Sequence, residues 1–493
     1  MSLTEPSSAS FSADLPRRKL GGLAVVAVVI SASAPLTVAA GGTPAAFAAS
    51  GMVGLPWVYL GVGGLILLFS IGYGAMSRHV VTGGGMFTYV ARGLGPRAGV
   101  AAAFVAVLAY SAIQVSVYGF LGAMASEQLA LLGLPEFPWV IPAAAVAFVV
   151  LVCGVSRIEI NARLLGGLLV VECLLVAGFV FGAALTPAQP ESMLLALSPD
   201  AVATGSFTAA LCLCVAAYTG VESAGLYAAE CREPSRTVAK ATYIAIAAIT
   251  LGYSLIAWSM TAATGPGQVV TQAQKLGSSF LFTVGSQLLG PWFGQVGPLI
   301  YLSSMFAALL AFATMVARYL FALGRERVLW TALGRQHSET GAPVVGAFVQ
   351  FVISLGVVIL FWAADLHPVQ HLAVWTSGLG ALGILLLMAM TSIAVISYFR
   401  HRNTTVSRWS RSIAPALSAG VLSALTLLVL LNFDIILGSS TPLWWIPPAA
   451  VIAAGLGGLG WASWLQRHRP EIYDQIGNGG RHHSEGPTGF LTH

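Results

Sequence analysis

Charge is what this sequence has least of. Of its 493 residues only 8% are Asp, Glu, Lys or Arg, against 57% hydrophobic, and the mean hydropathy is +0.83. A soluble chain of this length needs far more charge, so composition indicates a polytopic membrane protein. Cysteine is scarce too. Cys153, Cys173, Cys212, Cys214 and Cys231 show no CxxC spacing, and most lie in or beside apolar runs. They read as small buried hydrophobes rather than as disulfide partners or metal ligands. The chain has no HExxH or GxSxG, and its nine histidines fall in loops, tails or near the ends of apolar runs, which leaves a membrane-embedded enzyme without a catalytic set. Gly83, Gly84 and Gly85 are followed by no Walker lysine and preceded by no strand, so they are not a phosphate loop. A filter-like loop or ring-forming repeat, which a channel would show, is also missing. The polar start MSLTEPSSAS passes through Arg17, Arg18 and Lys19 into a run too long for a cleavable signal core. No cofactor is expected.

Long apolar runs are what the chain has instead. They recur at Leu20 to Ala49, Leu55 to Met76, Gly99 to Ala125, Trp139 to Val155, Leu164 to Ala184, Val202 to Tyr227 and Ala241 to Ala263. They continue at Val296 to Leu323, Val344 to Ala363, Leu372 to Tyr398, Ile413 to Phe433 and Leu443 to Leu465. A helix needs about 20 such residues to cross a bilayer, so an all-α protein of about twelve spans is expected. With the amino terminus in the cytoplasm, all but Lys275 of the 23 lysines and arginines fall on the cytoplasmic side. The positive-inside rule then places both termini in the cytoplasm, and the net charge of +5 reflects this bias rather than any affinity for nucleic acid. A multi-pass protein of the cell membrane is expected.

Two spans carry signs of interruption. Span one has Ser31 to Thr37 with Pro35 in the middle, and proline removes a backbone donor and clashes with the preceding turn. Span six has Thr219, Gly220, Ser223 and Gly225 around Glu222, a carboxylate at membrane depth. Such a charge normally faces a protein interior or a wet cavity, and broken helices at that depth point to a transporter's binding site. Both spans stand at corresponding places in two five-span halves. Among 18 acidic residues only Glu172, in span five, is comparably deep. Span three offers Tyr110, Gln114 and Tyr118 as one polar stripe, readable as a site or as helix-to-helix hydrogen bonding. Residues 77–96 suggest a re-entrant or surface helix. The outer loop from Thr264 to Gly294 holds an amphipathic patch from Ser278 to Leu289, suited to a lid or to a helix that covers the bundle.

Three stretches, TGGGMFTYVARGLGP after span two, AYTGVESAGLYAAECREPSRTVAKA through span six, and ARYLFALGRERVLW closing span eight, resemble the amino acid permease branch of the amino acid, polyamine and organocation transporter superfamily. The span-six stretch is especially similar to the arginine/agmatine antiporters. The resemblance covers nearly the whole chain. It implies two inverted five-helix repeats, at 20–190 and 200–400, followed by two helices at 411–466, with tails at 1–19 and 467–493. It further implies a substrate held between the breaks by Ser33, Ala34, Pro35, Leu36 and Thr37, by Tyr110 and Gln114, and by Tyr218, Thr219, Gly220, Val221 and Glu222, with Phe312 as a wall. Many relatives carry a Gly-Ser-Gly type break in span one, where this chain reads Ser-Ala-Ser-Ala-Pro. Several place a lysine where Glu172 aligns. Glu172, with Ser303 or Ser304, is then a candidate for ion coupling. The expected function is secondary active transport of an amino acid or related amine by alternating access, as a proton symporter, with exchange or sodium coupling as alternatives. The lipid bilayer and a small-molecule substrate are the expected partners, and the substrate's identity and the oligomeric state are not legible in the residues.

Overall fold

The computed structural model describes residues 21–80, 84–156, 158–222, 234–337, 340–400, 402, 405–434 and 443–479. The expected tail at 1–19, with Arg17, Arg18 and Lys19, lies outside them, as do Gly83, Ser223, Gly225 and Cys231. Among the described residues the chain is all-α, without strands. Among the described residues ten helices are long and apolar enough to cross a membrane. Two shorter apolar helices, Val140–Gly154 and Phe207–Ala217, occupy the positions of spans four and six.

Span three, Pro96–Leu131, is the pillar of the bundle. Its apolar window is 83% buried, against 28% for spans five, nine and twelve, so it faces protein almost all round while those three face outward. It packs against spans eight, ten and twelve, whereas span two packs along span seven and span seven also meets span one. Most exposed large side chains are the aliphatic and aromatic faces of the outer helices, such as Phe148, Leu174, Leu360 and Leu427. That inverted surface is what a lipid environment selects.

The starts of spans three and eight are near copies. A short helix, Met86–Leu94 or Phe280–Leu289, ends at a glycine, and a proline then opens a long helix. Gly95 has φ 97° and ψ 165°, and Gly290 has φ 98° and ψ 166°. Such backbone angles suit only glycine, and proline is pre-set for the first helical position. Both junctions read Leu-Gly-Pro-x-x-Gly, and the second glycine lets the long helix lie close on the short one, at Ala91 and at Ser286. The helix expected near 77–96 is thus Met86–Leu94, with Met86 to Ala91 all buried. In the loop from Thr264 to Gly294, Val269–Leu276 packs on the second half of span one, where Gln274 Nε2 donates to the Ala48 carbonyl at 3.2 Å.

The carboxy-terminal segment turns back under the bundle. Glu326, just past span eight, accepts from the backbone N–H groups of Gly477 and Gly479, both at 2.9 Å. Both glycines have positive φ, 85° and 72°, which lets the chain wrap the carboxylate. Burial pushes the Glu326 carboxyl above the usual carboxylate range, while the two amides and the charges of Arg92 and Arg325 pull it back down. Burial prevails.

Candidate functional site between two broken helices

Span one is interrupted at Ser33 and Ala34. The first helix, Gly22–Ala32, ends there, and Ala34 adopts φ 42° and ψ 72°, a left-handed conformation unusual for a residue with a side chain. Pro35 then opens the next segment at its first position, as its missing N–H and fixed φ allow. The described helix of span six also ends mid-span. Phe207–Ala217 is capped by Tyr218, and Gly220 has φ 104°. The two interruptions touch. A Cβ at Gly220 would stand 3.0 Å from the Ala32 Cβ, so glycine there serves both the backbone turn and the close approach.

Glu222 organises the second break. Its carboxylate reaches back to the Gly220 N–H, at 3.1 Å from Oε2 and 3.3 Å from Oε1, and the Tyr110 hydroxyl donates to Oε1. Tyr110 is held flat by the ring of Tyr319, whose centroid is 5.5 Å away, and the Phe312 ring lies 6.5 Å off. Glu222 and Tyr110 are therefore brought together at Gly220, with Phe312 beside the Tyr110 ring. Thr219 and Val221 are buried in the same turn.

Glu172 joins three spans. Its Oε2 accepts from Ser304 Oγ of span eight at 2.7 Å and from the Leu36 N–H of span one at 3.4 Å. Thr37 Oγ1 stands 3.3 Å from Ser304 Oγ, so carboxylate, two hydroxyls and a backbone donor converge just beyond the first break. Ser303 is not part of this group; its hydroxyl donates to the Ile300 carbonyl of its own helix at 2.7 Å.

Two candidates are turned elsewhere. Tyr218 is wedged between the rings of Tyr59 and Tyr253, with its hydroxyl 2.7 Å from the Tyr59 carbonyl and 3.2 Å from Thr250 Oγ1. Gln114 is engaged with span nine and its own helix. Its Oε1 accepts from Gln350 Nε2 at 2.7 Å, and its Nε2 donates to the Tyr118 hydroxyl at 3.3 Å. Gln350 also accepts from Ser111 Oγ at 3.0 Å and donates to Ser354 Oγ at 3.0 Å. Sequence reasoning passed over Gln350 and Ser354. The signal was present in the four-residue spacing of Gly346, Gln350 and Ser354 on an otherwise apolar helix.

The sequence profile of the amino acid permease family matches residues 20–455 of this chain, from span one into span twelve. No curated protein matches it. The chain belongs to the amino acid permease family, within the amino acid, polyamine and organocation superfamily, and is a multi-pass membrane transporter of amino acids.

Proposed function

We propose that, as an amino acid permease, this protein carries an amino acid or related amine across the cell membrane by alternating access, coupled to protons in symport. The substrate sits where the breaks of spans one and six meet, and both termini face the cytoplasm. The observation that carries this reading is the contact of Gly220 with Ala32, flanked by the Glu222 and Glu172 carboxylates. Half-helix amino termini present N–H groups and a positive dipole end to a substrate carboxylate, and carbonyls at the breaks accept from its ammonium. A zwitterion is held this way without a full opposing charge.

Hydrogen bonds cross between spans one, two, six and seven and the rest of the described bundle. Tyr110 to Glu222 joins span three to span six, and Leu36 and Thr37 to Glu172 and Ser304 join span one to spans five and eight. Rocking of spans one, two, six and seven against the rest makes and breaks these bonds while the packing of span seven on spans one and two stays intact. Glu172 then meets water in one orientation and a dry interior in the other, which is what lets a carboxyl take up and release a proton within the cycle.

A second reading has its own observation. The Glu172 carboxylate with the Thr37 and Ser304 hydroxyls is a set of hard oxygen donors, which suits a small cation such as sodium. Exchange of substrates is compatible with either. The test is uptake by proteoliposomes of labelled L-alanine, L-leucine, L-glutamate and L-arginine, first as counterflow and then under an imposed pH gradient with and without sodium. Absence of counterflow for every amino acid removes the transport reading; accumulation that needs sodium and ignores the pH gradient replaces proton by sodium coupling.

A further inference from the structure

The two breaks are held from outside in the same way. Tyr73 of span two donates its hydroxyl to the Glu222 carbonyl in the break of span six, at 2.9 Å. Tyr253 of span seven donates to the Ser33 carbonyl in the break of span one, at 2.8 Å. Both tyrosines are buried, and each stands past the middle of its span. The flanking rings match as well. Phe69 and Tyr89 lie 5.5 and 5.2 Å from Tyr73, and Tyr59 and Tyr218 lie 5.5 and 5.6 Å from Tyr253. Spans two and seven hold the same place in the two halves of the chain, as do spans one and six.

We infer that Tyr73 and Tyr253 are a matched pair of positioning residues, each tying the backbone of one broken helix to the neighbouring span and so fixing the geometry that the break presents to the substrate. A carbonyl at membrane depth needs a donor, and at a break the helical ladder does not supply all of them. Water or substrate would otherwise compete for these oxygens. A phenol anchored by two aromatic neighbours supplies the donor with little freedom to swing away. Because each bond lies within the group of spans one, two, six and seven, it persists while that group rocks. The half-helices of spans one and six then move with spans seven and two rather than flexing on their own.

This inference rests on the placement of the substrate between the breaks, and the experiment separates the two. Tyr73→Phe and Tyr253→Phe keep the rings and remove only the hydroxyls. Gly220→Ala, which forces a Cβ toward Ala32, tests the site itself, and Tyr398→Phe, whose hydroxyl accepts from Arg402 far from the breaks, controls for loss of any buried phenol. All are assayed in proteoliposomes with whichever of the four labelled amino acids the wild type exchanges fastest. Each of Tyr73→Phe and Tyr253→Phe is expected to raise the apparent KM about three- to twentyfold, the span of interhelical side-chain bonds in membranes, with maximal rate changed far less. Tyr398→Phe should keep the wild-type KM. If Gly220→Ala impairs transport while both phenylalanine variants keep the wild-type KM, or lower only the amount of folded protein, the inference is overturned and the site stands. Gly220→Ala with wild-type transport overturns the site and the inference with it.

Discussion

Replacing Glu172 by glutamine separates substrate movement from energy coupling. The side chain keeps its shape, and its amide oxygen still accepts from Ser304 Oγ and the Leu36 N–H, which stand 2.7 and 3.4 Å from Oε2. The contacts that hold spans one, five and eight together survive, so the loss in exchange rate should stay near that of one weakened interhelical bond, about threefold. What disappears is a group that binds and releases a proton. One unit of pH across the membrane is worth about 1.4 kcal/mol per proton, so a gradient of about two units supports roughly hundredfold accumulation at one proton per substrate. The assay is uptake into proteoliposomes, acidic outside and clamped at zero membrane potential, with and without sodium. Wild type should approach the hundredfold ratio without sodium. Glu172→Gln should exchange substrate yet stop near equal concentrations on the two sides. A variant that still accumulates substrate on the pH gradient refutes the role of Glu172.

The remaining predictions concern Tyr218, the second carboxylate, Glu326 and the topology. Tyr218→Ala empties the wedge between Tyr59 and Tyr253 and should cut turnover or affinity strongly, whereas Tyr218→Phe keeps the ring contacts and should be mild; an alanine variant that transports like wild type removes Tyr218 from the working parts of the site. Glu222→Gln keeps an acceptor for Tyr110 and Gly220 and should transport more slowly with its pH dependence retained; an active but pH-independent variant would move coupling to Glu222. Glu326, wrapped by the tail, has its carboxyl raised by burial, so its contribution to folding is fully present only below the pKa of the exposed carboxyl and is lost as pH rises through the pKa of the folded one. Thermal unfolding in detergent should therefore show this group stabilising the fold more at pH of about 5 than at about 8, a difference that Glu326→Gln removes; a variant whose melting temperature keeps the wild-type pH dependence refutes the contribution. A lone cysteine placed at Lys275 should react with an impermeant thiol reagent in whole cells, and labelling at Arg402 instead would invert the orientation.

What the sequence determined was everything that follows from local chemistry. Apolar runs of spanning length forced helices, because a backbone in lipid has no other way to satisfy its N–H and C=O groups. Pro35 required an interruption in span one, and Gly220 permitted one in span six, since a missing donor and a missing Cβ act within a turn or two of themselves. Glu172 and Glu222 stood out because charge at that depth is rare. Even the repeated Leu-Gly-Pro-x-x-Gly was legible, although only the equal angles of Gly95 and Gly290 gave it meaning. The tertiary structure decided which partner each side chain found. Helical periodicity put Tyr110 and Gln114 on one stripe, but packing sent Tyr110 to span six and Gln114 to span nine. Ser303 and Ser304 are neighbours in sequence with the same chemistry, yet a rotation of one residue, about 100° around the helix, gives one its own backbone and the other Glu172. Nothing in the sequence marks Tyr73 and Tyr253, because the carbonyls they hold belong to helices 149 and 220 residues away. A side chain's face follows from its place in the sequence; what that face meets depends on how distant helices pack.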